Sequence, residues 1–254
     1  MDRLPSSLRV SIITALYNAG ESAAATLKSV AQQDYPLIEH IIVDGASTDN
    51  TLQIVRLNSE RVADLISEPD LGVYDAFNKG LRRASGDIIA FLNAGDTYVS
   101  PRVVSRVLKE FSDNEVQAVF ADLSIVDAHD ESRVVRLYSS KRFTPRSMSY
   151  GLMPAHPTLF LRREVYSCVG EYDSSFRIAG DFEMCLRVFA LRNTQFRYVS
   201  EALVRMPRGG LSNRGWRSKW HITREMKLAC KINGVHTNIL KLCLRLPLKM
   251  LEMV

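Results

Sequence analysis

EPDLGVYDAFNKGLRRASGDIIAFLNAGDTY, residues 68–98, decides the fold. It reads as a loop, a helix, a tight turn, a buried strand and a loop carrying an acid. Tyr74, Phe77, Leu81 and Ala84 recur at helical spacing and give the helix one apolar face. Gly86 is a stop signal, and Ile88 to Leu92 is an apolar run of strand length. The chain then breaks into Asn93-Ala94-Gly95-Asp96. An aspartate just past a buried strand stands where α/β sheets bind ligands. A carboxylate there can hold a hard divalent cation, and the cation a diphosphate. The same four residues also suit a plain polar turn.

Upstream, the pattern repeats. Val10 to Ala15 is an apolar, β-branched strand followed by Leu16-Tyr17-Asn18-Ala19-Gly20. A helix is expected over Glu21 to Gln33. A second strand, Ile38 to Val43, runs into Asp44-Gly45 and a Ser47-Thr48-Asp49 cap, with a helix through Leu57. Ala63 to Ser67 is a short third strand. Strand and helix in alternation imply a mainly parallel sheet flanked by helices, with the polar strand ends along one edge. No G-x-G-x-x-G follows the first strand and no G-x-x-x-x-G-K-[ST] occurs. The dinucleotide fingerprint and the P-loop are therefore excluded.

Downstream, a helix is expected over Pro101 to Phe111 and a strand over Ala118 to Ala121, ending at Asp122. Val134 to Tyr138 pairs nearby. Thr158 to Leu161 is a short strand and Arg163 to Val169 a short helix. Phe182, Cys185, Leu186, Phe189 and Ala190 pattern a helix with Asp181 at or beside its N-terminus. The last strands are Phe196 to Val199 and Leu203 to Met206. Arg208 to Ser212 is a flexible loop, and helices follow over Trp216 to Ile232 and Asn238 to Val254.

With 46% hydrophobic against 24% charged residues, the 254-residue chain has ample material for a core. Its four cysteines form no C-x-x-C pair, which argues against a zinc site or a disulfide framework and for a reducing compartment. The N-terminus lacks a signal-peptide core, and no run of about 18 apolar residues predicts a membrane span. A cytoplasmic location is expected. Residues 205–254 hold 11 Lys+Arg against 2 Asp+Glu, whereas the remainder holds 22 against 26. A basic tail on a mildly acidic body suggests an anionic partner.

Each candidate residue has a bland reading beside its chemical one. Asp44 could accept from a nucleobase or ribose, or simply shape an Asx-turn. Asp96 is the candidate metal ligand. Asp181 could be a general base or a plain N-cap. His156, between Ala155 and Pro157, could touch a phosphate or acceptor, or be a loop residue. Gly209-Gly210 would let backbone approach a diphosphate, or serve as a linker.

Order and spacing carry more than any single residue. SIITALYN (11–18), IIVDGASTDNT (41–51), the run from Ser67 to Asp96, AHPTLFLRRE (155–164), IAGDFEMCLR (178–187) and RGGLS (208–212) closely resemble the family 2 glycosyltransferases of the GT-A fold. The likeness is strongest to bacterial enzymes of capsule, exopolysaccharide and colanic-acid assembly. It spans roughly residues 10–212. It implies a Rossmann-like catalytic domain over 1–212, with a nucleotide half to about residue 121, an acceptor half over 122–212 and a basic helical tail over 213–254.

By this resemblance, Asp44 contacts the base, and Thr14, Ala15, Tyr17 and Asn18 line the nucleotide pocket. Asp70, Asp75, Asn78 and Lys79 stand in the donor-site loop and helix. Asn93, Ala94 and Gly95 complete the donor loop, and Asp96 is the last acid of a D-x-D-like motif that holds Mn²⁺ or Mg²⁺. Asp181 is the catalytic base. His156 takes the place of a His in a His-Gln-Ala segment, and with Gly209 and Gly210 would meet acceptor or phosphate. Many relatives have two acids where this chain has Gly95-Asp96, so the site has one fewer carboxylate.

The implied reaction is inverting transfer of a sugar from a nucleoside-diphosphate sugar to a glycan or polyprenyl-linked acceptor. The basic, leucine-rich tail would add peripheral contact with the inner face of a membrane. Three rivals remain. A nucleotidyltransferase should carry a basic, glycine-rich loop after the first strand, where this chain has Leu16 to Gly20. An inactive nucleotide-sugar-binding protein is argued against by Asp44, Asp96 and Asp181 together. A nucleic-acid binder has only Trp216 and Trp220 to interleave with the basic tail.

Overall fold

Apolar runs become central strands here because helices cover both faces of the sheet. The computed structural model describes residues 8–128, 130–191, 194–209 and 215–245. The first half runs β1 (Val10–Leu16), α1 (Gly20–Ala31), β2 (Ile38–Asp44), α2 (Thr51–Leu57), β3 (Val62–Ser67), α3 (Val73–Arg83) and β4 (Ile88–Phe91). Neighbouring residues of one strand serve opposite cores, as the two-residue period demands. Ile13, Ile89 and Phe91 join Tyr74 and Phe77 of α3 on one face. Ile12, Ile88 and Ala90 face the other, with Val104 and Val107 of α4 (Val103–Leu108).

The second half adds β5 (Thr97–Tyr98), α4, β6 (Val116–Val126), β7 (Val134–Tyr138), β8 (Phe160–Arg162), α5 (Arg163–Val169), α6 (Gly180–Ala190) and β9 (Gln195–Pro207). One sheet results, in the order β3-β2-β1-β4-β8-β6-β9-β5, with β7 on β6. Pairings among the first four strands are parallel, with Ile13 opposite both Ile41 and Phe91. Beyond β4 the sheet is mixed: β8 is antiparallel to β4 and β6, while β6 and β9 are parallel. Strand order reverses between β1 and β4, which makes the carboxyl ends of those two strands the natural crevice.

Several boundaries differ from the sequence-based expectation. β6 continues past Ala121 to Val126, so Asp122 lies mid-strand. Its carboxylate accepts from the Ser140 N–H at 2.7 Å and the Tyr198 hydroxyl at 2.9 Å. The two expected last strands are one, β9, whose register shifts against β6 around Asp122 absorb the polar residues between them. The helix expected over Pro101–Phe111 is α4 followed by a 3-10 turn at Glu110–Ser112.

The tail is packed as far as it is described. α7 (Gly215–Ile232) buries Met226, Ala229 and Cys230, and α8 (Ile239–Cys243) buries Leu242, all in the cluster that contains α6. Met226 and Leu242 each contribute about 1.5–3 kcal/mol, the smaller Ala229 and Cys230 less. The Arg245 guanidinium is buried and donates to Thr223 Oγ1 at 3.0 Å. The rest of the helix expected over Asn238–Val254, from residue 246, lies outside the described residues. No helix among the described residues is long and apolar enough to cross a membrane.

Candidate functional site

Loops from the carboxyl ends of β1, β2 and β4 meet at the crevice. Asn18, in the left-handed region at φ 45°, ties the first two together. Its N–H donates to Ser47 Oγ at 2.8 Å and its Oδ1 accepts from the Thr48 N–H at 2.9 Å. Asp44, the last residue of β2, is fully buried. It accepts from the Ser47 N–H at 3.1 Å, the Ser47 hydroxyl at 2.5 Å and the Ser67 hydroxyl at 2.8 Å. Both carboxylate oxygens are therefore held by neighbours.

Beside it, Gly45 leaves room that no other residue would. A Cβ there would lie 2.4 Å from Asp70 Oδ2 and 3.4 Å from the Tyr17 ring. The missing side chain lets the Asp70 carboxylate and the 65%-exposed Tyr17 ring converge over bare backbone. An exposed ring and a carboxylate over bare backbone are groups that can stack on and hydrogen-bond a planar ligand.

The loop that carries Asp70 is clamped from α3. Lys79 Nζ donates to Pro69 O at 2.7 Å and pairs with Glu68 at 3.0 Å and Asp75 at 3.6 Å. Burial works against its charge, but the Glu68 hydrogen bond and the surrounding carboxylates prevail and hold the ammonium above its ordinary value. Asp75 also accepts from the Leu71 N–H, and Asp70 from the Gly72 N–H. Asn78 points elsewhere: both ends of its amide pair at 2.8 Å with the Tyr172 backbone, joining α3 to the segment between α5 and α6. Thr14 is likewise inside the sheet, bonded to His40 Nε2 at 2.9 Å and to Leu92 O at 2.7 Å across the β1–β4 junction.

After β4 the loop is pinned from below and open in chemistry. Thr26 of α1 accepts from the Gly95 N–H and donates to Asp96 O, both at 2.9 Å. Asp96 is 5% exposed, and burial pushes its carboxyl up to about 8, against a lowering backbone hydrogen bond from Asn93. In the same turn Asn93 Oδ1 is buried without a hydrogen-bond partner. An unpaired amide oxygen beside a desolvated carboxyl is an oxygen-only donor set, which suits a hard cation that takes its remaining ligands from phosphate and water. No group of three or more His, Cys, Asp or Glu able to hold a metal occurs among the described residues. Pro207, at the end of β9, lies 3.7 Å from where a Gly95 Cβ would be. Gly209, at φ 125°, has nothing within 4 Å of where a Cβ would be, and Gly210 lies outside the described residues.

Asp181 is the second residue of α6, not its N-cap, which is Ala179. One carboxylate oxygen accepts from the Phe182 N–H at 2.7 Å, and the Tyr74 hydroxyl stands 3.4 Å from it. Burial, then the Asp181 charge, raises the Tyr74 pKa well above its ordinary value, so Tyr74 remains a donor.

His156 is a core residue. Its ring stacks on Phe77 at 5.8 Å, and its Nε2 meets the Tyr172 hydroxyl at 2.9 Å. Burial lowers its pKa to about 4. In this structure it braces the junction of the two halves. Sequence reasoning missed Thr26, Ser67 and Tyr74 as supports of the site. Tyr74 was visible only as an apolar helix-face position, and the other two carried no local signal.

The family model for glycosyl transferase family 2 matches residues 11–170. An uncharacterized glycosyltransferase of Mycobacterium tuberculosis is 32% identical over 189 residues, 72% of this chain and 70% of its own. A PGL/p-HBAD biosynthesis glycosyltransferase of Mycobacterium bovis is 28% identical over 207 residues, 80% of this chain and 78% of its own. Among solved structures, the mannosyltransferase PcManGT of Pyrobaculum calidifontis, in complex with GDP-Man and Mn²⁺, superposes with a TM-score of 0.67 at 22% identity. It covers 91% of this chain and 66% of its own. S. aureus TarS in complex with UDP-GlcNAc gives 0.66 at 18% identity over 87% of this chain and 66% of its own. The chain thus spans just under two thirds of these structural neighbours, and the likeness is one of fold.

Proposed function

The chain belongs to glycosyl transferase family 2, and on that premise we propose that it moves a sugar from a nucleoside-diphosphate sugar to a hydroxyl of a glycan or lipid-linked glycan, inverting the anomeric centre. One observation carries this reading: at the topological switch of the sheet, the loop after β4 holds a buried carboxyl and an unpaired amide oxygen, Asp96 and Asn93 Oδ1; the bare backbone of Gly45 between Tyr17 and Asp70, on the same sheet edge, is the slot we assign to the base.

The slot receives the base, and Asp44 keeps its floor rigid through Ser47 and Ser67. Ala15, Asn18 and Ala94 flank the nucleotide. Lys79 holds the 68–72 loop in place against the donor, with Asp75 as its second anchor. A divalent cation, Mn²⁺ or Mg²⁺, held by Asp96 and Asn93 would stabilise the negative charge that develops on the diphosphate as the C1–O bond breaks. Gly209 and Gly210 would let backbone approach the same diphosphate. Asp181 accepts the proton that the acceptor hydroxyl loses as it attacks, a contribution of about 10²–10⁴-fold.

The setting we propose is surface glycan or glycolipid assembly, in keeping with the resemblance to exopolysaccharide enzymes and the PGL/p-HBAD relative. α7 and α8 support peripheral membrane contact. Trp220, Leu228, Ile232, Leu240 and Leu244 are exposed there among Lys227, Lys231 and Lys241. Leu240→Ser with Leu244→Ser should release the protein from anionic vesicles in flotation; unchanged flotation removes that contact.

Calorimetry with UDP-, GDP- and dTDP-sugars, with and without Mn²⁺ or Mg²⁺, tests the main reading. One nucleotide should bind in a metal-dependent way that Asp96→Ala abolishes. Asp181→Asn should keep donor binding and lose transfer. Near-wild-type turnover in Asp181→Asn removes the base assignment, and no binding under any condition favours an inactive relative.

A further inference from the structure

α7 lies beyond the segment that matches the family model, yet it reaches into the turn that presents Asp181. Glu225, on α7, accepts from three successive backbone N–H groups: Arg177 at 3.0 Å, Ile178 at 2.9 Å and Ala179 at 2.8 Å. Its side chain is 12% exposed, and His221 Nε2, one helical turn back, lies 3.2 Å from its outer oxygen. A carboxylate filling a nest of three N–H groups is a strong, directional anchor, because each bond is charge-assisted in a partly desolvated place.

The same turn is held from its other side by α3. The Tyr74 hydroxyl donates to Ile178 O at 2.5 Å and stands 3.4 Å from Asp181. Gly180 admits the Tyr74 ring so closely that a Cβ there would lie 2.7 Å from it. Residues 177–181 are thus gripped between Tyr74 and Glu225. Ala179, the N-cap of the helix that carries Asp181, has no side-chain cap bond.

We infer that Glu225 is a positioning residue for Asp181, so that the basic C-terminal helix, through its buried acid, belongs to the catalytic apparatus. This rests on the reading of Asp181 as the base. Glu225 does not touch the reacting atoms. It fixes the Arg177–Ala179 backbone, which fixes the first turn of α6 and hence the carboxylate. A displacement of about 1 Å in such a group is enough to cost on the order of 10²-fold in turnover.

The test uses the full chain and the variants Glu225→Ala, Glu225→Gln and Asp181→Asn. Hydrogen–deuterium exchange of the peptide spanning residues 177–182 should accelerate in Glu225→Ala while the melting transition stays cooperative. Unchanged exchange there overturns the inference by itself. Release of UDP or GDP from UDP-GlcNAc or GDP-mannose with Mn²⁺ gives the catalytic arm. Glu225→Ala should lower kcat about 10–100-fold with the donor KM within about twofold. Glu225→Gln should recover part of the loss, since one oxygen still accepts from Ile178 and Ala179. Wild-type kcat in Glu225→Ala, or a fall matched by an equal rise in KM, overturns the inference. If Asp181→Asn alone turns over like wild type, it is the base reading that has failed; if Asp181→Asn is inactive and Glu225→Ala is not, only the positioning role has.

Discussion

The loops after β2 and β4 leave the same edge of the same sheet, and each places an aspartate there in near-complete burial. Asp44 is surrounded by donors from Ser47 and Ser67 that satisfy both of its oxygens within the fold. Around Asp96 the loop backbone is satisfied instead, through Thr26; the carboxyl has only a backbone hydrogen bond from Asn93 set against its burial and is pushed up to about 8, and the Asn93 amide oxygen has no partner. A buried acceptor that the protein satisfies stabilises the fold, whereas one left unsatisfied costs stability until something else binds it. The first loop is built as a wall, the second as a receptor.

Replacing each aspartate should separate the two roles. The largest effect is expected from Asp96→Asn. Loss of several kcal/mol of leaving-group stabilisation should slow transfer about 10³-fold with the melting temperature unchanged or raised. A large drop in melting temperature would make Asp96 a second wall. Asp44→Ala should do the reverse in kind, costing about 2–4 kcal/mol in denaturant unfolding because Ser47 and Ser67 lose their common acceptor. An Asp44→Ala protein of wild-type stability would erase the contrast.

The smallest effect per step is the dependence on pH. The Asp96 carboxyl sits at about 8 in the fold against an ordinary 3.8. Between those values the folded state keeps a proton that the unfolded state has lost, so stability falls as pH rises, by about 1.4 kcal/mol per unit. Metal-free wild type should therefore lose stability from pH 5 to 8 relative to Asp96→Asn, and Mn²⁺ should restore more of it at the upper end. Parallel pH profiles for the two proteins would show that Asp96 is ionised before any cation arrives.

Much of the wall was legible in the chain. Val10 to Ala15, Ile38 to Val43 and Ile88 to Leu92 were readable as strands because a doubly covered sheet demands continuous apolar runs. Their polar termini marked the edge at which Asp44 and Asp96 lie. The second half of the chain was less legible. The strand was expected to end at Asp122, yet β6 carries this residue inward, where Tyr198 and Ser140 bond it. His156 and Asn78 looked like site residues from their segments. In the fold, both are spent on Tyr172, seating the two halves against each other.

By itself, the sequence determined the strand–helix alternation, the sheet edge that carries the acids and membership of the family, since periodicity and local motifs are properties of neighbouring residues. Only the tertiary structure decided which acid is held by several donors and which is left desolvated. It also decided that Tyr74 and Glu225, on helices about 150 residues apart in the chain, meet at the turn before Asp181. Hydrogen-bond satisfaction depends on partners brought together by folding, and no local pattern records them.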